Sequence, residues 1–307
     1  MSDGQGRKSE LHDSAYLAEY HNLRASACGT SLNAQDDAKI YTSAFKDQLE
    51  TYSPLDHHGE HLVILDVGTG AGRVLVNLAD HAVRENIPLT NVEFLGVDKE
   101  PAMIHRAMSA QQQARSMSQV GRIDWLVGEA LHLTSSELLE NHINKVDLLL
   151  FAGGSVSHLI SPNEPLGFFA QAAALLRPRS GRFYLSVRND LTSTQLSPQP
   201  TKGSTTGVDV HDQCDFPSKL YDGIVYRQLP IESSVVDGPI KTDRYLLQVV
   251  KRTDAGGEDI IEENRIETVL RVFREPELLE WFKEAGLEFV EALHTSYETY
   301  YVLKQAD

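Results

Sequence analysis

A chain of 307 residues exceeds the usual size of one domain, so two lobes, or one domain carrying a large insertion, are expected. Its 28 basic against 44 acidic residues leave a formal net charge of -16, which repels phosphate backbones and anionic lipid headgroups and argues against nucleic acid and membranes as partners. Two cysteines far apart (Cys28, Cys214), a polar stretch at 1–8 and the lack of an apolar run of membrane-spanning length predict a soluble cytoplasmic protein without a disulfide framework.

Residues 1–10 carry no periodicity and read as a tail, followed by helical spacing at 11–20 and 36–49. A loop at 52–59 contains Pro54 and the histidines His57 and His58; with His61 nearby they still lack the carboxylate or cysteine partners of a metal site, and none is assigned. Residues 62–67, Leu-Val-Ile-Leu-Asp-Val, form the apolar run of a buried parallel strand around one carboxylate, Asp66. Gly68, Gly70 and Gly72 follow at alternate positions around Thr69, and an apolar helical face (Val74, Leu75, Leu78, Ala79, Val83) runs on to about 85. Strand, glycine turn and helix together mark a ligand site. A dinucleotide fingerprint needs a third close-packing glycine where this chain has Arg73, and a P-loop needs Gly-Lys-Ser/Thr where it has Gly-Arg-Val. Asp66 would also repel a pyrophosphate and attract a cationic amino acid group.

After a turn at 86–91, a second strand (92–98) ends in Asp98, at the carboxyl end where open α/β sheets bind ligands and where it is also placed to cap the helix predicted over 101–117. A third strand (123–127), a helix at 134–141 with a Ser/Thr start, and a fourth strand (146–151) follow. The fourth strand runs into Ala152-Gly153-Gly154-Ser155-Val156-Ser157-His158. A helix at 165–175 and a strand at 182–188 complete an alternating α/β pattern. From 189 to 207 the composition turns to Ser, Thr, Gln, Pro and Gly, and short alternating segments follow up to 273. Among them, 223–229 reads as a strand, and 245–252 with 262–273 read as an antiparallel hairpin. A helix at 276–284 and strands at 287–293 and 297–303 end the pattern.

Four stretches in order, Asp66-Val67-Gly68-Thr69-Gly70-Ala71-Gly72, Val92 to Asp98, Gly128-Glu129-Ala130 and Val146 to Gly154, resemble motifs I to IV of the class I S-adenosylmethionine-dependent methyltransferases. The resemblance implies a Rossmann-like α/β sheet, mostly parallel, with an antiparallel last strand inserted beside the fifth. It also implies an antiparallel β lid before the final helix, of the kind found in small-molecule N- and O-methyltransferases. The domains expected are a tail and helical cap at 1–60, a cofactor-binding core at 61–190 and 274–307, and a lid at 191–273. The cofactor implied is S-adenosyl-L-methionine, leaving as S-adenosyl-L-homocysteine.

Cofactor contacts are expected from Asp66, Gly68, Thr69, Gly70, Gly72 and Arg73 in the first turn. Asp98, Lys99 and Met103 are expected at the ribose and adenine, Gly128, Glu129 and Ala130 beside the adenine, and Ala152, Gly153 and Ser157 after the fourth strand. An aromatic ahead of the core often touches the cofactor in this family, and Tyr20, with Tyr16 and Tyr41, is the candidate. His158 is the expected catalytic base, since an imidazole titrating near neutrality can take the proton that a hydroxyl or ammonium must lose before attack. His211, with Asp212, Tyr221 and Arg244, is a candidate on the lid. The expected activity is methyl transfer to an oxygen or nitrogen of a small-molecule acceptor, in secondary metabolism; a homodimer is compatible with it. The competing readings are the same fold catalysing a cyclisation or rearrangement with the cofactor in a structural role, and a binding protein with a vestigial site.

Overall fold

The computed structural model describes residues 16, 17, 19, 20, 23, 24, 32–52 (side chains from Asp37), 60–192, 213–253 and 256–307. The chain divides into two compact units, one made from Gln35–Thr194 with Phe273–Asp307, the other from the described residues of Met1–Ala34 and Gln195–Val272.

In the first unit the helix α1 (Leu32–Thr51) precedes β1 (Leu62–Val67), α2 (Arg73–Arg84), β2 (Val92–Asp98), α3 (Pro101–Gln113) and β3 (Arg122–Val127). A single turn, α4 (Glu137–Glu140), then leads to β4 (Leu148–Phe151), α5 (Glu164–Leu175) and β5 (Arg182–Arg188). Every residue of β1 is buried, because side chains on both faces meet helices: Val63, Leu65 and Val67 face the cluster with Phe168, Phe169 and Phe282, while Leu62 and Ile64 face Tyr41, Phe45, Leu75 and Leu78.

In the second unit β6 (Cys214–Pro217), β7 (Ile224–Gln228), β9 (Ile240–Arg252) and β10 (Glu258–Arg271) form an antiparallel sheet in the order β10-β9-β7-β6, and β8 (Ser233–Asp237) also pairs with β9. The predicted hairpin is longer than its alternation suggested, and the short exposed strands β6 and β8 gave no apolar pattern by which to be found.

The chain returns to the first unit through α6 (Glu275–Glu284), β11 (Leu287–His294) and β12 (Glu298–Gln305). Among the described residues seven strands make one sheet, ordered β11-β12-β5-β4-β1-β2-β3. The last strand, β12, runs antiparallel to both β5 and β11, as the resemblance implied. Where the insertion leaves and re-enters, the Phe273 N–H donates to the Leu191 carbonyl at 2.7 Å, so both ends of the excursion are pinned to this unit.

Three expectations need correction. The segment at 134–141 is not one helix but a 3-10 stretch (Ala130–Ser135) and the turn α4, with no side-chain cap from Ser136. The Thr134 N–H and hydroxyl donate to Gln171 Oε1 on α5 (2.9 and 2.8 Å), which fastens the 3-10 stretch to that helix. The helix from Pro101 stops at Gln113, where Ala114 turns extended and a 3-10 stretch (Arg115–Gln119) lets the Ser116 hydroxyl reach Asp80 at 2.5 Å. Residues 1–60 are not one cap: α1 buries Tyr41, Ala44 and Phe45 in the parallel-sheet unit, whereas Leu17 and Tyr20 lie in the core of the antiparallel unit with Ile224, Tyr226 and Tyr245.

Glu19 ties that N-terminal segment to the antiparallel sheet. Its carboxylate is 3 % exposed and accepts from the hydroxyls of Ser218 (2.7 Å) and Tyr226 (2.7 Å) and from the N–H groups of Lys219 (2.7 Å) and Leu220 (3.0 Å). Burial works against the charge, but the four donors outweigh it and hold its pKa below the usual carboxylate range. A depressed carboxylate pKa stabilises the fold at neutral pH, and that contribution fades as the pH falls through the lowered value. Replacing Glu19 by Ala removes the acceptor of the Tyr226 hydroxyl, the Ser218 hydroxyl and the Lys219 N–H, leaves the Leu220 N–H only Ser218 Oγ at 3.1 Å, and should lower stability at pH 7 by about 2–3 kcal/mol in urea titration. The loss should shrink in acid; an equal loss at pH 3 would contradict the assignment.

Candidate active site

Register brings the four motifs to one edge. Val67 of β1 lies opposite Val97 of β2 and Phe151 of β4, and Asp98 lies opposite Val127 of β3, so the turns after all four strands emerge together at the carboxyl edge. In open α/β sheets this crevice is where ligands bind.

Asp98 anchors the edge. Its Oδ2 accepts from the Gly70 N–H (2.8 Å) and its Oδ1 from the Glu100 N–H (2.9 Å), which fixes the glycine turn to the end of β2. Asp98 does not cap the following helix: the residue before α3 is Glu100, in extended conformation, and no side chain caps it. A carboxylate offers about four acceptor positions, so a half-exposed Asp98 retains capacity for ribose hydroxyls.

Asp66 is 1 % exposed. The Thr69 hydroxyl donates to its Oδ2 at 2.7 Å, while Oδ1 is buried without a partner. Burial pushes its pKa up to about 7, the Thr69 hydroxyl and Arg73 pull against that rise, and Asp37 and Asp98 reinforce it. Arg73 turns its guanidinium to Asp37 on α1, at 2.8 Å, and not to Asp66. Ser157, wholly buried, likewise has an Oγ without a partner.

Gly70 (φ 56°) and Gly153 (φ 64°) are left-handed, and a Cβ at either would meet nothing within 4 Å. The backbone there is bare and faces open space, as close approach by a ligand requires. A cation that completes Asp66, together with hydroxyls that reach Asp98 and a group that pairs with Ser157, fits these vacancies in hydrogen bonding. S-adenosylmethionine carries an ammonium, a sulfonium and a ribose, and the residues present suit it.

The remaining expected contacts fall around the same edge. Lys99 and Glu129 are exposed, Met103, Gly128 and Ala130 are half-buried, and Ala152 is buried against the core. Gly68 (φ 65°) lies over Phe151 and Ser155, and Gly72 packs under Trp125. His158 ends a 3-10 turn (Ser155–His158) directly after β4 and is exposed.

Tyr20 does not stand open: it is wholly buried in the antiparallel unit, its hydroxyl donating to Gln228 Oε1 at 2.6 Å. Tyr221 stacks edge-on with Tyr16 at 5.0 Å, and Arg244 pairs with Glu267 at 2.7 Å. His211 and Asp212 lie outside the described residues.

Two participants escaped the sequence reading. The Trp125 ring fills the space over Gly72 and Gly96, where an added Cβ would come within 2.8 and 2.3 Å of it, and its Nε1–H donates to Gln111 Oε1 at 2.6 Å. Glu298, at the start of β12, is buried at the same edge near Ser186. Glycine at 96 was the available hint of the first, while the second lies far in sequence from the motifs.

Comparison with known proteins agrees with the geometry. A methyltransferase domain model matches residues 64–179. N-methyltransferase FrzE from a Cladobotryum species is 31 % identical over 288 residues, covering 93 % of each chain. Among solved structures, an S-adenosylmethionine-dependent methyltransferase from Clostridium acetobutylicum is similar in fold, with TM-score 0.58 and 15 % identity over 94 % of this chain and all of that one. The amino pentose methyltransferase CalS10 from Micromonospora echinaspora matches with TM-score 0.53 and 17 % identity over 97 % of this chain and all of its own. Buried carboxylate, bare glycine turns and full-length similarity converge: the chain belongs to the class I S-adenosylmethionine-dependent methyltransferases.

Proposed function

We propose that this enzyme methylates a nitrogen of a small-molecule amine. The observation that carries the reading is that the arginines at the carboxyl edge, which an anionic acceptor would need, are taken by acids. Asp66, Asp98 and Glu298 gather there, and the nearby arginines are already engaged, Arg73 with Asp37 at 2.8 Å and Arg188 with Asp190 at 2.6 Å. Such an edge favours a cationic or neutral amine over a phosphorylated or carboxylated acceptor. The full-length relative named as an N-methyltransferase supports nitrogen over oxygen.

When bound, S-adenosylmethionine supplies an electrophilic methyl group on sulfur. The chain's own contribution is to hold the reacting groups: Asp66 and the bare backbone at Gly70 and Gly153 at the amino acid part, Asp98 at the ribose. Positioning of this kind is worth about 7–11 kcal/mol in well-oriented model reactions. An ammonium must lose a proton before its lone pair can attack, and His158, exposed just past β4, is the group we assign to accept it. The antiparallel unit, on this reading, serves as the acceptor lid.

Incubation with methyl-labelled S-adenosylmethionine and paired amine and alcohol acceptors tests the proposal. Label on nitrogen, slowed about 100-fold by His158→Gln, is the expected result. Label on oxygen alone, or acceptor turnover without label transfer, would overturn it. Calorimetry should show S-adenosylhomocysteine bound about 10- to 100-fold more weakly by Asp98→Ala, the loss of hydrogen bonds to a charged acceptor. Unchanged affinity would remove Asp98 from the ribose.

A further inference from the structure

We propose that Ser186 and Arg188, alternate residues of β5, are positioning residues that hold the Gly153-Gly154 turn at the cofactor seat. The claim rests on the seat at the carboxyl edge and not on the identity of the acceptor.

The turn needs holding because of its composition. Gly153 and Gly154 are both left-handed (φ 64° and 67°), and glycine populates either sign of φ about as readily, so the two residues do not select this conformation by themselves. Strands β4 and β5 run parallel with Phe151 opposite Leu185, so the turn after β4 leaves the sheet beside the last residues of β5. Side chains alternate along a strand, which puts Tyr184, Ser186 and Arg188 on one face of β5, the face on which Tyr184 meets Tyr41 of α1.

Two contacts reach the turn from that face. The N–H of Gly154, a buried residue, donates to Ser186 Oγ at 3.0 Å. The Arg188 stem lies over the same residue, its Cγ and Cδ 2.9 and 3.2 Å from where a Cβ of Gly154 would stand. That stem is itself fixed: the guanidinium donates to both oxygens of Asp190 (Nε at 3.0 Å, Nη2 at 2.6 Å) and lies 5.6 Å from the centre of the Tyr297 ring. Ser186 supplies the hydrogen bond and Arg188 the wall.

The hold extends past the turn. The Gly154 carbonyl accepts from the Ser157 N–H at 3.0 Å, and Ser157 carries the buried hydroxyl without a partner. Ser155 Oγ donates to the Ala152 carbonyl at 2.7 Å and stands 3.3 Å from where a Cβ of Gly68 would be, so the turn after β4 packs on the turn after β1. Gly154 is thus bonded on both sides, by its N–H to β5 and by its carbonyl to Ser157. A loosened Gly154 releases Ser157 and one wall of the first glycine turn together.

Amide exchange at single residues, read by NMR in the unliganded protein, tests the clamp without a ligand. Ser186→Ala removes the acceptor of a buried N–H, so Gly154 should exchange about tenfold faster. Gly128, in the turn after β3, donates to the Asp98 carbonyl at 3.0 Å and should keep its wild-type rate. Arg188→Ala should speed exchange at the same Gly154 amide and leave Gly128 alone. Calorimetry should show S-adenosylhomocysteine bound about tenfold more weakly by Ser186→Ala, with Ser186→Thr, which keeps the hydroxyl, restoring most of the affinity. Unaltered Gly154 exchange in Ser186→Ala, or faster exchange of Gly128 and Gly154 alike, overturns the proposal, as does wild-type affinity in Ser186→Ala. Failure of the seat would appear separately: no S-adenosylhomocysteine binding by the wild type would remove the positioning role whatever Gly154 exchange shows.

Discussion

The two edges of the parallel sheet treat buried acids in opposite ways. At the amino edge each is paired: Asp147, 1 % exposed, accepts from Arg177 Nε at 2.6 Å and from the Val63 N–H at 2.9 Å. Glu93 lies 3.3 Å from both His142 Nε2 and Arg122 Nε. Its hydrogen bond outweighs the burial that opposes charge on His142 and raises that histidine's pKa. At the carboxyl edge Asp66 has a hydroxyl and an unused oxygen, and burial raises the pKa of Glu298 to about 7 against the pull of Arg188, its neighbour on β5. A buried carboxylate without a cation is costly to keep, and such costs persist where a ligand removes them. The proposed seat of S-adenosylmethionine, which carries an ammonium and a sulfonium, lies at the edge where Asp66 keeps an oxygen without a partner.

The rest of the parallel-sheet unit serves to hold that edge still. Continuous apolar strands bring four turns into register, Trp125 wedges over Gly72 and Gly96, and Asp98 ties the glycine turn to β2. Even Arg73, which seemed a candidate for the cofactor, is spent on Asp37, so that α1 and α2 are fastened together behind the turn. The guanidinium thereby lies close enough to temper Asp66 without neutralising it by contact.

Much of this was readable in the chain because it was local. Strand β1, its glycines and the apolar face of α2 declare themselves within a short window, and the boundaries of β1, β2 and β5 agree with the expectation. What failed was non-local. The segment at 134–141 is tied by Thr134 to Gln171, distant in sequence, and α3 ended early where Ser116 meets Asp80. Tyr20 looked like a cofactor aromatic by position, yet its hydroxyl is taken up by Gln228 in the core of the antiparallel unit. Glu298 could not be singled out at all, because nothing in its neighbours along the chain distinguishes it from a solvated strand-end acid until β12 pairs with β5. Strands β6 and β8, short and mostly exposed, show the same limit of pattern reading.

The account stands or falls on Asp66 gaining its charge when the cofactor arrives. Calorimetric binding of S-adenosylhomocysteine near pH 7, repeated in buffers of different ionisation enthalpy, measures the protons exchanged. The wild type should release a proton on binding, and Asp66→Asn should lack that release. No proton release by the wild type, or the same release by Asp66→Asn, would contradict the account.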